Sequence, residues 1–127
     1  MDVTPLIPAD RYVIDGYGAG GIRVRGVLYS GPVLIFPDKV LPWPKGRALA
    51  TLTPEDFSLV LGAEDKPEVL LLGVGAVALE LPPKAVREAC RAAGVVVEVM
   101  DTGAACRTYN VLLAEGRRVA ALLALPV

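Results

Sequence analysis

The chain contains no histidine. Ser–His and Cys–His catalytic pairs are therefore excluded within it. The usual zinc sites are excluded as well, because two cysteines, Cys90 and Cys106, supply too few soft ligands. No metal site and no cofactor are expected. The cysteines fall in predicted helices and no secretory signal is visible, which reads as reduced thiols and a cytoplasmic location. The opening residues MDVTPLIPADRY carry an early acid, two prolines and no long apolar run. Neither a signal peptide nor a transit peptide is expected there. Long hydrophobic runs are missing throughout, and nothing reaches the roughly 18 uncharged apolar residues of a membrane span. Neither sign of charge dominates: 13 basic and 14 acidic residues are interspersed and the net charge is −1. Without a basic stripe, nucleic-acid binding through counterion release is not expected.

What is present is apolar. Hydrophobic residues make up 54% of 127, enough for one domain, 1–127, with a sizeable core. So high a share in so small a chain also raises a homo-oligomer as an expectation.

Glycine and proline punctuate the first third. Residues 1–10 read as extended, 11–15 as a short strand and 16–21 as a turn. Residues 22–29 alternate, with Gly26 marking a bulge or tight bend. Residues 30–32 are a turn and 33–36 a short buried strand. Together these read as antiparallel hairpins. The stretch 37–44, with three prolines, reads as a loop. Thr53 and Pro54 start a helix, with Glu55 and Asp56 suiting its dipole and Gly62 ending it.

The rest alternates strand and helix. Residues 69–72 form an unbroken apolar run, expected as a central strand. Pro82 and Pro83 open a helix with the stripe Val86, Ala89, Cys90 and Ala93, ended by Gly94. Residues 95–99 form the next strand, giving a βαβ unit with a parallel pair. A third helix over roughly 103–115 stops at Gly116, and 119–125 is a last strand. The expected architecture is α/β, with one sheet, helices on its faces and the early hairpins packed beside it.

Two glycine motifs invite a nucleotide reading. Residues 16–21 match G-x-G-x-x-G, but the strand-like Ile22-Arg23-Val24-Arg25 follows where the motif needs a helix dipole. Residues 73–78 match G-x-G-x-x-A after a buried strand, yet Leu79-Glu80-Leu81-Pro82 separates them from the helix. The plain reading is a tight loop at a strand's carboxyl end. Such loops line ligand crevices in open sheets, so Gly73 and Gly75 are candidate binding residues.

The third helix concentrates polarity. Thr102 reads as its N-cap, with Asp101 adding favourable charge. Cys106 sits one turn in, beside Arg107, where a thiolate would be favoured. Against that, Cys106, Tyr109, Leu112 and Leu113 form an apolar stripe, and a buried apolar thiol is the commoner outcome. Arg107 either binds a small anion or pairs with Asp101 or Glu115. Thr108 lies in the same polar run. Tyr109 and Asn110 either present polar tips to a pocket or tie the helix to neighbouring loops. Glu115 and Arg117 read as a solvated helix exit or a local ion pair. Trp43, among prolines, is a core plug or a partner anchor.

Three blocks carry a resemblance: YSGPVLIFPDKVLPW (29–43), LLLGVG (70–75) and VEVMDTGAACRTYNVLLAEGRRVAALL (97–123). In order, over about Tyr12 to Leu125, they resemble the Mth938-like domain family. The resemblance implies a three-layer β+α/β/α fold with a mixed central sheet. It marks Pro37, Trp43, Gly73, Gly75, Met100, Thr102, Ala105, Arg107, Thr108, Tyr109, Asn110, Glu115 and Arg117. Val74 stands where the family often has a small polar residue. Eukaryotic relatives include a mitochondrial assembly factor for respiratory complex I, and no enzyme activity is implied. The expected function is a non-enzymatic binding or assembly module with a membrane-complex subunit as partner and no catalytic residues. The alternative is a small-molecule site, or a cryptic enzyme, between the loop at Gly73 and Gly75 and the helix starting near Thr102.

Overall fold

The structure, a computed structural model, describes residues 10–18, 20–43, 51–75 and 81–125. Most of the extended segment expected over 1–10, together with Pro44, Ala76 to Ala78 and Pro126, lies outside the described residues.

The early hairpins are present, with shifted boundaries. Strands β1 (Ile14–Gly18), β2 (Gly21–Val24) and β3 (Val27–Tyr29) form an antiparallel three-stranded sheet. The strand expected over 11–15 thus runs on through the presumed turn, because Gly16 and Gly18 pair with Arg23 and Gly21. Asp15 is the extra residue between the pairs Ile14–Val24 and Gly16–Arg23, so β1 bulges there. Its carboxylate accepts the Gly26 N–H at 2.8 Å. Gly26 is the expected tight bend: Arg25 (φ 49°) and Gly26 (φ 79°) are both left-handed, as a two-residue hairpin turn requires.

A second hairpin joins β4 (Val33–Phe36) and β5 (Lys39–Pro42). Proline content argued for a loop over 37–44, yet Lys39–Pro42 pairs as a strand. Pro42 ends β5 and β5 is an edge strand, the setting in which a sheet tolerates proline. Thr53 and Pro54 do start a helix, first as a 3-10 turn (Pro54–Phe57) and then as α1 (Ser58–Leu61). The Asp56 carboxylate accepts the Thr53 backbone N–H at 2.7 Å and its hydroxyl at 3.2 Å.

The alternating part follows with β6 (Val69–Gly73), α2 (Lys84–Ala92), β7 (Val96–Met100), α3 (Thr102–Ala114) and β8 (Val119–Leu123). β6 and β7 are parallel, as the βαβ pattern predicts. β8 enters the sheet between β6 (parallel) and β4 (antiparallel), giving the mixed order β5-β4-β8-β6-β7.

Side-chain alternation divides the central sheet into two cores. Val33, Ile35, Val69, Leu71, Val119, Ala121 and Leu123 face α3 and the three-stranded sheet. Leu34, Phe36, Leu70, Leu72, Ala120 and Leu122 face α1 and α2, where the Val86–Cys90 stripe is buried. The result is the expected three-layer β+α/β/α arrangement.

Candidate functional site

Of the residues that sequence singles out, Gly73, Gly75 and Thr102 meet where β6, β8 and α3 come together. Asp101, not Thr102, caps α3: its backbone is extended (φ −63°, ψ 159°) and its carboxylate accepts the Ala104 N–H at 2.8 Å. Thr102 is the first helical residue and fully buried. Its hydroxyl accepts the Gly75 N–H and donates to the Ala124 carbonyl, both at 2.9 Å. Its backbone N–H goes to the Gly75 carbonyl, and the Ala124 N–H goes to the Gly73 carbonyl.

The two glycines serve this junction. A Cβ on Gly73 would lie 3.1 Å from the Thr102 Cα and 3.2 Å from the Ala105 Cβ, so only glycine lets the helix sit this close. Gly75 turns the chain at φ +102°, a region other residues rarely adopt. The sequence alternative of a ligand crevice between the loop and the helix meets a junction in which these groups already bond one another. Thr102→Val keeps the shape but orphans the Gly75 N–H and the Ala124 carbonyl. It is expected to cost about 2 kcal/mol in urea unfolding; an unchanged midpoint would show the hydroxyl to be dispensable.

Further along α3, Cys106 and Tyr109 are buried in the core with Ile14, Ile22 and Val24 of the small sheet. Burial pushes the Cys106 thiol up to about 11, outweighing the opposing pull of Arg107. The thiol is therefore neutral at pH 7. Iodoacetamide labelling of Cys106 is expected to be far slower than that of a free thiol up to about pH 9; labelling at the rate of a model thiol would contradict its burial. Because the folded pKa is the raised one, this group's stabilisation is complete below pH 9.0 and lost as pH climbs toward about 11.

Tyr109 donates its hydroxyl hydrogen to the Tyr12 carbonyl at 3.1 Å. Asn110 grips Ile14 at two points: its Oδ1 accepts the Ile14 N–H at 3.0 Å and its Nδ2 donates to the Ile14 carbonyl at 2.6 Å. The side-chain amide thus pairs with the free edge of β1 as a neighbouring strand would. Of the two sequence readings for Tyr109 and Asn110, the geometry is that of ties.

Arg107 is exposed and donates to the Tyr17 hydroxyl. The expected partners fail for simple reasons. The Asp101 carboxylate is engaged at the cap, and Glu115 lies eight residues on, about two helical turns away. Arg117 likewise leaves the helix exit and pairs with Glu68 at 3.1 Å, which lowers the Glu68 pKa. Trp43 is half-buried and packs its ring on Phe57 with centroids 5.9 Å apart, in the core on the α1 and α2 side of the central sheet rather than the α3 side. Thr108 is half-buried and faces a groove of about 580 Å³ between α3 and β7, lined also by Val96, Glu98, Met100 and Leu112. Sequence reasoning did not single out Tyr17 or Ile14, which hold Arg107 and Asn110. Ile14 acts through its backbone, which no side-chain pattern signals.

The family model described as "Protein of unknown function (DUF498/DUF598)" matches residues 14–124. A curated relative, NADH dehydrogenase [ubiquinone] 1 alpha subcomplex assembly factor 3 of Bos taurus, is 38% identical over 113 residues, 89% of this chain and 60% of its own length. The chain thus spans less than two thirds of that relative. A crystal structure of a Bordetella parapertussis protein superposes with a TM-score of 0.79 at 40% identity, covering 92% of this chain and 97% of that one. A solution structure from Bordetella pertussis, described as a Mth938-like domain, gives 0.75 at 34% identity over 99% and 92%. With the fold, the three sequence blocks and these matches in agreement, the chain belongs to the DUF498/DUF598 family of Mth938-like proteins.

Proposed function

We propose that the chain is a protein-binding module that serves the assembly of a membrane-bound NADH dehydrogenase and performs no chemistry of its own. The observation that carries this reading is the 38% identity to the Bos taurus assembly factor over 89% of the chain. The α3 geometry supports it. The polar side chains that a reaction would need free are spent on backbone groups of Tyr12, Ile14, Gly75 and Ala124. The cysteine beside them is buried and protonated.

An assembly role predicts a specific defect. Membranes from cells lacking the chain, run on native gels, accumulate partial NADH dehydrogenase complexes, and the intact chain restores the full complex. Native affinity capture with the full chain returns a subunit of that enzyme. Unchanged levels of the full complex, with capture of the chain alone, overturn the proposal.

A further inference from the structure

β7 ends the five-stranded row, and among the described residues no strand lies beyond it. Its inward hydrogen bonds fix which residues face out. The Val96 N–H goes to the Glu68 carbonyl, and the Met100 carbonyl accepts the Val74 N–H. With the two-residue period of a parallel ladder, Val96, Glu98 and Met100 direct their backbone groups to β6. Val97 and Val99 therefore present theirs outward. Their side chains pack toward α2, whereas Val96, Glu98 and Met100 line the groove against Thr108 and Leu112. The groove lining mixes apolar and charged groups: Val96 is 55% exposed, and the paired Glu68 and Arg117 lie along the same groove. At its middle stands Glu98, for which no ion pair is found among the described residues.

We propose that this edge is the docking site of an extended segment of a partner protein, added as a strand beside β7, with apolar, basic and apolar side chains alternating into the groove. This deepens the assembly reading and rests on it. Backbone pairing at Val97 and Val99 supplies the attachment, and the pattern Val96, Glu98, Met100 sets the chemistry of the incoming strand. The central carboxylate selects a cation opposite it. A second copy's β7 is a poor occupant. In any same-face register that pairs most of the strand, the two Glu98 carboxylates come within about 8 Å or less, and like charges so placed repel.

The test uses the full chain labelled with nitrogen-15 and the blocked peptide Thr-Val-Thr-Lys-Thr-Leu-Thr, with a twin carrying Glu in place of Lys. The lysine peptide is expected to shift the amides of Val97, Val99, Thr108 and Leu112 and to bind at least about threefold more tightly than its twin. Glu98→Lys, a change at an exposed position, is expected to reverse that preference. Equal affinities, shifts elsewhere, no binding, or self-association through Val97 and Val99 overturns the proposal. So does a Glu98→Lys chain that captures the NADH dehydrogenase subunit as well as the unchanged chain does, a result that leaves the assembly role standing. Loss of that role would show separately, as a normal complex in cells lacking the chain.

Discussion

Replacing Tyr109 by alanine is expected to remove about 4 kcal/mol of unfolding free energy, the range for truncating a buried aromatic. Among the described residues Tyr109 is the largest fully buried side chain, and it sits where α3 meets both sheets. The residues around it, among them Ile22, Val24 and Leu123, are themselves fully buried, so collapse into the space would disturb two layers at once. Tyr109→Phe keeps the ring and loses only the bond to the Tyr12 carbonyl, so it should cost about 1 kcal/mol. Equilibrium urea unfolding followed by circular dichroism separates the two. A Tyr109→Ala protein as stable as wild type would mean that the ring is not a core element. Burial also raises the phenol above its ordinary range. Because the raised value belongs to the folded state, this group's stabilisation is lost only as pH climbs above the ordinary tyrosine range.

Asn110→Ala is the second large effect, expected at about 3 kcal/mol, because it leaves both the N–H and the carbonyl of Ile14 without their partner. Little apolar area is lost, so the change isolates the two-point tie. Asn110→Asp sharpens the case. A carboxylate still accepts the Ile14 N–H but cannot donate to its carbonyl, and it places negative charge 2.6 Å from an acceptor. It should therefore be no better than alanine. A ligand-binding asparagine would behave differently, with little change in unfolding and a loss only of binding.

Much of the fold is legible in the chain because its cues are local. The apolar run 69–72, the stripe Val86 to Ala93 and the stops at Gly94 and Gly116 each specify an element through its own periodicity or dihedral demand. The errors fall where tertiary contacts overrule local chemistry. Proline near 37–44 argues for a loop, but an edge position lets Lys39–Pro42 pair. Thr102 has the right side chain for a cap, but its hydroxyl is taken by Gly75 and Ala124, so Asp101 caps instead. The site was legible as a location and less so as a role. The polar run on α3 announces that donors and acceptors must be satisfied; it does not say by what. The partner of Asn110 is a backbone 96 residues earlier in the chain, a relation no spacing rule reaches.

The polar face of α3 fastens β1 to the fold through the two bonds of Asn110 to Ile14. Native-state hydrogen exchange at the Ile14 amide, compared between wild type and Asn110→Ala, reads out this tie. Strong protection is expected in wild type, falling by about two orders of magnitude in the variant, with the β6 amides much less affected. An Ile14 amide that exchanges at the same rate in both proteins would contradict it.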